Sequence, residues 1–176
     1  FEDKTLQYIN LETDVYYNEV TDKIVAMPAA SQFRWTMLNL GFVQIRGLDM
    51  KAQAAWQWQN KLHLNTRLSY TYQKAQDFTN PADTYYGDQI PYIPWHSGSF
   101  IAGADWRGWS FNYSFIYVGE RYNQQENIRY NYTQPWYTHD LSLARVFMLK
   151  KNLIKVSCEV NNVMNQNYDV ILNYPM

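Results

Sequence analysis

Two polar stretches of the chain hold the residue types best suited to recognising a ligand. QDFTNPADTYYGDQIPYIPW at 76–95 places rings among aspartates, and GERYNQQENIRYNYTQPW at 119–136 interleaves arginines and rings with amides. Flat rings stack on rigid ligands, and guanidinium groups donate forked hydrogen bonds to carboxylate or phosphate. The predicted ligand-binding residues are Asp77, Tyr85, Tyr86, Arg121, Tyr122, Arg129, Tyr130 and Trp136. Alternatively, these rings anchor a membrane interface or pack loop against loop.

Catalytic and metal chemistry find little support in the sequence. His139 and Asp140 are adjacent, so on a strand their side chains point to opposite faces and cannot act as a base and its orienting partner. His63 and His96 lie on other strands without metal-ligand spacing, and Cys158 falls on an apolar face. No glycine-rich phosphate loop is present in the sequence. We therefore expect no enzyme, no metal site and no cofactor.

Composition narrows the class of protein. The 176 residues have a net charge of −1, which gives no electrostatic argument for binding nucleic acid. A single cysteine cannot form an intrachain disulfide. No apolar run approaches the roughly 18 residues of a membrane helix. Aromatic residues make up 18% of the chain, yet the mean hydropathy is −0.51. This combination predicts surfaces that are half apolar and half hydrated.

The elements that would position these loops are strands with a strict two-residue period. In KLHLNTRLSYTYQKAQ at 61–76, leucines and tyrosines fall on one face and polar residues on the other. An amphipathic helix would need apolar residues three and four positions apart. In a membrane barrel the apolar face meets lipid and the polar face meets the lumen. The predicted lipid-facing residues include Leu64, Leu68, Tyr70, Phe111, Tyr113 and Phe115.

Strands and connections follow a regular plan along the chain. We expect about seven strands, at roughly 6–27, 41–58, 61–76, 90–106, 109–122, 137–149 and 152–162. Short turns alternate with long polar connections, which is typical of outer-membrane barrels. The short turns are 58–61, 106–109 and 149–152, and the long connections are 28–40, 77–89 and 123–136.

Other architectures remain open at this point. The main alternative is a soluble β-sandwich or barrel that binds carbohydrate through its aromatic residues. A membrane-embedded barrel hydrolase is a weaker one, because no serine and histidine share a face at suitable positions. The sorted loop lengths and the tryptophans flanking short turns favour the membrane barrel.

Five stretches resemble TonB-dependent outer-membrane receptors, in the same order along the chain. They are NLGFVQIRGLDMKAQ (39–53), LNTRLSYTYQKAQD (64–77), IPYIPWHSGSF (90–100), YTHDLSLARVF (137–147) and VSCEVNNVMNQNYDV (156–170). The last is the most specific, because its N-N-V-x-N-x-x-Y segment resembles the end of the family's penultimate strand. The NYPM ending is most similar to receptors of the Bacteroidota type.

The resemblance implies a fold, a location and partners. The fold expected is all-β, with about seven C-terminal strands of a transmembrane antiparallel barrel of 22 strands. Residues 1–176 would be a C-terminal piece that lacks the plug domain and the final strand. Such receptors lie in the Gram-negative outer membrane and import iron–siderophores, haem, cobalamin or glycans. The partners implied are membrane lipid, the remaining barrel and plug, the TonB complex, a small-molecule or metal-chelate substrate, and a surface lipoprotein.

Overall fold

The computed structural model describes residues 4–28, 35–58 and 61–171. Within these ranges the chain forms strands and one 3-10 turn, Arg129–Asn131. The strands are β1 (Lys4–Pro28), β2 (Trp35–Trp58), β3 (Leu62–Asp77), β4 (His96–Trp106), β5 (Trp109–Val118), β6 (Arg121–Tyr122), β7 (Tyr132–Thr133), β8 (Trp136–Leu149) and β9 (Asn152–Val160). The predicted all-β fold is confirmed.

Seven strands form one antiparallel sheet in the order β1-β2-β3-β4-β5-β8-β9. Strands β6 and β7 form a separate small ladder between β5 and β8. Each large strand pairs with its neighbour along the chain, apart from this insertion, so the sheet is a meander. Alternating side chains give it one apolar face and one polar face.

Tight turns lie at one end of the sheet. At Trp106–Trp109, Arg107 has φ 48° and Gly108 has φ 83°, the left-handed pair that a two-residue type I′ hairpin requires. Lys150, in the β8–β9 turn, also has a positive φ of 54°. At the β2–β3 turn, the Lys61 amide donates to the Trp58 carbonyl over 3.1 Å. The long connections 78–95 and 119–135 therefore both lie at the opposite end.

Three predicted strand boundaries were wrong. Strand β2 begins at Trp35 rather than at 41, and residues 35–40 continue the ladder with β1. Strand β4 begins at His96 rather than at 90, because two prolines and the positive φ of Tyr92 (62°) interrupt the preceding segment. The predicted strand 109–122 divides into β5 and β6. Residues 29–34 of the predicted first long connection lie outside the described residues.

A small apolar core lies at the loop end of the sheet. Leu40, Val43, Ala75 and Ile90 are buried together, and Val43 and Ala75 have no exposed surface. Val43 and Ala75 occupy the polar-face register of β2 and β3, so the loop containing Ile90 folds over that face.

The apolar face of the sheet, in contrast, is uncovered. Val15 is 81% exposed, Leu68 is 50% exposed and Phe111 is 43% exposed. Large apolar side chains exposed on one face of several neighbouring strands are unusual for a soluble monomer. None of the described helical segments is long and apolar enough to span a membrane.

Candidate functional site

Aromatic residues form two rows across the apolar face. The row nearest the tight turns joins Trp58, Leu62, Trp106, Trp109 and Arg145 by cross-strand register, and the Arg145 guanidinium lies 4.4 Å from the Trp109 ring centroid. The row nearest the loops joins Met50, Tyr70, Gly98, Tyr117 and Tyr137 in the same way. Amphipathic Trp, Tyr and Arg side chains therefore lie at both ends of the apolar face.

The distance between these rows matches a membrane. They are eight residues apart along β4, about 27 Å of strand at ~3.4 Å per residue. A barrel tilt near 40° reduces this to about 20 Å across the membrane, and a further row, Tyr72 and His96, extends it to about 26 Å. The apolar band of outer-membrane barrels is about 25 Å tall.

Histidines of the upper apolar face are bonded to tyrosines. The Tyr70 hydroxyl lies 2.7 Å from His96 Nδ1, and the Tyr113 hydroxyl lies 2.7 Å from His139 Nδ1. His139 packs on Phe115 and Tyr137, while Asp140 accepts a hydrogen bond from the Asn162 amide. His139 and Asp140 thus point to opposite faces, as predicted.

The polar face carries its own cross-strand bonds. The Ser69 and Ser99 hydroxyls are 2.8 Å apart, Thr71 donates to Asp49 over 2.7 Å, and Asn112 donates to Ser142 over 3.2 Å. Hydrogen-bonded polar side chains on neighbouring strands are what a water-filled or plugged lumen requires.

The loop 78–95 is fixed onto the polar face by Gln89. This side chain is 1% exposed, accepts from the Ala75 amide over 2.9 Å and donates to the Gln73 and Ile93 carbonyls. Both the oxygen and the nitrogen of the Gln89 side-chain amide therefore have hydrogen-bond partners, as a buried amide requires. The neighbouring Ile90 fills the core described above.

A second loop is fastened to the first through Asn127. The Gln89 amide donates to Asn127 Oδ1 over 2.8 Å, and Asn127 Nδ2 returns a bond to the Gln89 carbonyl over 3.0 Å. The Asn127 amide also donates to Asp88 over 2.8 Å, and Thr84 bonds to Glu126. The two long connections therefore form one cluster.

Arg121 joins the third part of this cluster. Arg121 is 2% exposed, and its guanidinium donates to the carbonyls of Gln134, Asp169 and Val170, at 3.5, 2.5 and 3.2 Å. Burial lowers the pKa of Arg121 from its ordinary value, while nearby Tyr92 and Asp169 oppose the shift. The expectation that Arg121 offers forked donors to a ligand is wrong for this structure, because backbone carbonyls occupy them.

The other predicted ligand residues divide by exposure. The prediction that Asp77 binds ligand is also corrected. Asp77 is 6% exposed, and its carboxylate accepts a hydrogen bond from the Thr79 amide over 2.9 Å. Tyr130 is 91% exposed on the 3-10 turn, and its neighbour Arg129 is exposed as well. Tyr86 is 43% exposed and packs edge-on against Phe78.

Three predicted rings are half-buried. A hydrogen bond to Asp83 and burial raise the pKa of Tyr85. Tyr122 packs edge-on against Tyr132. Trp136 stacks on Tyr168, a ring that sequence analysis missed, with 4.3 Å between the ring centroids. Packing between loops, the alternative stated above, therefore accounts for part of the aromatic content.

Metal ligands are not gathered anywhere in the described ranges, which contain no group of three or more His, Cys, Asp and Glu residues placed to hold an ion. Cys158 is exposed on β9, paired in register with Leu143 of the apolar face.

A family model described as TonB dependent receptor-like, beta-barrel matches residues 1–163. The chain belongs to this family. Among solved structures, the ferric yersiniabactin uptake receptor FyuA from Yersinia pestis matches with a TM-score of 0.66 and 17% identity. The match covers 97% of this chain and 24% of that one, so this chain spans about a quarter of FyuA. A search of curated proteins returned no match.

Membership in the TonB-dependent receptor family confirms the predicted resemblance. Members of this family are transporters of the Gram-negative outer membrane, not enzymes. Family membership also rules out the alternative of a soluble carbohydrate-binding sandwich, because the seven-stranded sheet superposes on part of a receptor barrel.

Sequence analysis missed the residues that hold the loops together. Gln89, Asn127 and Tyr168 sit in polar stretches without periodicity, where no local pattern distinguishes a buried amide from a solvated one. One signal was present: Ala75 interrupts an otherwise polar face of β3 just before Asp77. A small apolar residue in that register indicates that something covers the face.

Proposed function

We propose that the chain is part of an active transporter of the outer membrane that imports a bulky nutrient and is energised through TonB. Family membership and the match to an uptake receptor support this. The iron–siderophore, haem, cobalamin and glycan classes are all compatible with the family. The TonB complex would act through a plug domain, and the remaining barrel would close the sheet.

The observation that best supports membrane insertion is the banded apolar face. Its aromatic rows, spaced by about 20 to 26 Å, fit the interfaces of a bilayer. Leu64, Leu68, Phe111, Tyr113 and Phe115 lie between these rows, where lipid chains would cover them, and Tyr70 lies in the upper row.

The loop cluster supports a role in ligand capture. Loops 78–95 and 119–135 lie together at one end, and the first folds over the polar face, so they would line the outer vestibule. Within the cluster, Tyr86, Arg129 and Tyr130 present exposed surface to an arriving ligand. A Bacteroidota origin and a surface-lipoprotein partner remain predictions.

Uptake measurements test this proposal in cells that carry the full-length gene. Cells with and without TonB are supplied with ferric siderophores, haem, cobalamin and glycans, and accumulation is measured. We expect accumulation of one class, dependent on both the gene and TonB. Uptake of none of the four classes would contradict the proposal.

Single substitutions then test the loops. Tyr86→Ala, Arg129→Ala and Tyr130→Ala are compared with Tyr8→Ala, a 49% exposed tyrosine at the opposite end of the sheet. We expect weaker affinity in at least one loop variant at equal surface abundance. If none changes affinity by more than about twofold, roughly 0.4 kcal/mol, these loops do not hold the ligand.

A further inference from the structure

We propose that two arginine–tryptophan pairs, at the end of the apolar face where the tight turns lie, bind the phosphate of an anionic phospholipid. The pairs are Arg107 with Trp106 and Arg145 with Trp109. This inference rests on the proposed insertion of the apolar face into the membrane, and it does not depend on which nutrient is transported.

Each guanidinium lies over a tryptophan ring of the row nearest the tight turns. Arg107 Cζ is 5.2 Å from the Trp106 ring centroid, and Arg145 Cζ is 4.4 Å from the Trp109 ring centroid. Trp106 on β4 pairs in register with Trp109 on β5, and Trp109 pairs with Arg145 on β8. The two pairs therefore lie side by side across three neighbouring strands.

The turn that carries Arg107 is held against β8. The Val146 amide donates to the Gly108 carbonyl over 2.9 Å, so the turn is fixed beside the residue that follows Arg145. Arg145 also lies 5.1 Å from the centroid of the Phe147 ring. Stacking on a ring occupies the flat face of a guanidinium and leaves the N–H groups along its edge free to donate.

Neither guanidinium has an acceptor in the described part of the chain. Arg107 and Arg145 are both exposed, and their contacts there are with aromatic rings. Asp105, the carboxylate closest to Trp106 in sequence, lies on the polar face and accepts from the Ser110 hydroxyl. An arginine beside lipid is unfavourable unless its charged head reaches the headgroup level or an acceptor. The acceptor for this pair of donors therefore has to come from outside the chain.

The charge at this end of the sheet selects an anion. The three tight turns, 58–61, 106–109 and 149–152, carry four cationic residues and no carboxylate. A guanidinium fork matches two oxygens of one phosphate. A zwitterionic lipid would bring its own ammonium group next to these cations, whereas an anionic phospholipid supplies the phosphate without that repulsion.

The adjoining part of the apolar face accommodates the acyl chains. Phe111 and Leu143 pair in register one step further from the turns than Trp109 and Arg145, and they are 43% and 45% exposed. A lipid whose phosphate lies on the arginines would therefore run its chains over exposed apolar side chains.

Native mass spectrometry of the purified full-length receptor in detergent tests the assignment. The receptor is titrated with phosphatidylglycerol, with phosphatidylcholine of the same acyl chains, and with glycerol phosphate, which has the phosphate without the chains. Since each cation near a membrane surface favours an anionic lipid about fivefold, we expect phosphatidylglycerol to bind at least about tenfold more tightly than phosphatidylcholine. Glycerol phosphate should bind far more weakly than phosphatidylglycerol.

Two variants remove one guanidinium each. Arg107→Gln and Arg145→Gln should each weaken phosphatidylglycerol binding about fivefold and leave phosphatidylcholine binding unchanged. The matched control is Lys151→Gln, which removes the same charge from an exposed position in the β8–β9 turn, and it should stay within about twofold. Thermal unfolding in detergent verifies that each variant is folded, and Arg107, in an exposed turn, tests the site independently of packing on β8.

The outcomes separate this inference from the proposed function. Equal binding of the two lipids, an equal loss in Lys151→Gln and the arginine variants, or glycerol phosphate binding as tightly as phosphatidylglycerol would overturn the lipid assignment, even if TonB-dependent uptake persists. Absence of TonB-dependent uptake in cells with the wild-type receptor would instead remove the proposed function and leave a measured lipid preference standing.

Discussion

At the scale of single residues, Arg121 and Arg129 show how one residue type takes two roles in one loop. Both lie in the same polar stretch, and sequence alone assigns both to ligand binding. Arg121 is 2% exposed and donates to three carbonyls from two segments, whereas Arg129 is exposed on a 3-10 turn. Of these two, only Arg129 has a guanidinium available to a ligand.

Substituting these two arginines should therefore have unequal effects on the loops. Arg121→Ala leaves buried carbonyls without a charged donor, and we expect a local cost of about 1.5–3 kcal/mol. Arg129→Ala should cost less than about 0.5 kcal/mol, as is usual at exposed sites. Hydrogen exchange of residues 132–136 and 166–171 in the full-length receptor measures the difference. Equal protection in both variants would show that Arg121 does not fasten these segments.

At the scale of elements, the strands were predictable and the loop packing was not. Two-residue periodicity in 61–76 specifies β3 to within one residue, because burial on one face leaves a clear local signal. The start of β4 was placed six residues early. Pro91 and Pro94 cannot donate to a ladder and were a local signal against a strand, whereas the positive φ of Tyr92 is seen only in the structure. The cluster of Gln89 and Asn127 depends on contacts 38 residues apart.

Strand β3 allows a direct test of which face meets lipid. Leu64→Lys or Leu68→Lys should cost roughly 2–4 kcal/mol near the membrane midplane, whereas Asn65→Lys on the polar face should cost little. Single-cysteine labelling in membranes gives an independent measure. Probes at Leu64, Leu68 and Tyr70 should report lipid, and probes at Asn65, Arg67 and Ser69 should report water. The reverse pattern would invert the assignment of faces.

The loop 78–95 should depend on one buried aliphatic side chain. Ile90 is 2% exposed and packs on Val43 and Ala75, so Ile90→Ala should cost about 2–5 kcal/mol. Ile128→Ala, at a 50% exposed site in the adjoining loop, is the matched control and should be nearly silent. Limited proteolysis of intact receptor should cut 78–95 faster in the first variant alone. Equal cleavage of both would show that Ile90 does not anchor the loop.

At the scale of the whole molecule, the chain has two hydrophobic regions with different partners. The small core of Leu40, Val43, Ala75 and Ile90 is satisfied within the chain, because a loop covers it. Nothing in the described chain covers the apolar face. Residues such as Leu11 (73% exposed) and Leu153 (70% exposed) require lipid or further protein to remove them from water. We therefore expect the sheet to be stable only where lipid or further protein covers its apolar face.

Residues 1–176 expressed alone should consequently not fold in water. In the described structure β1 pairs only with β2, and β9 pairs only with β8. Each outer strand thus leaves a row of backbone N–H and C=O groups open, which template association between chains. The bare apolar face adds a second route to aggregation, and the small core under the loop 78–95 covers neither the open edges nor this face.

We expect inclusion bodies in the cytoplasm and, after dilution from urea, aggregates by light scattering. The full-length receptor refolded into detergent micelles is the control, because closure of the barrel removes both edges. A monodisperse, soluble monomer of residues 1–176 that unfolds cooperatively would contradict this account, since its apolar face would then have to be buried within the chain itself.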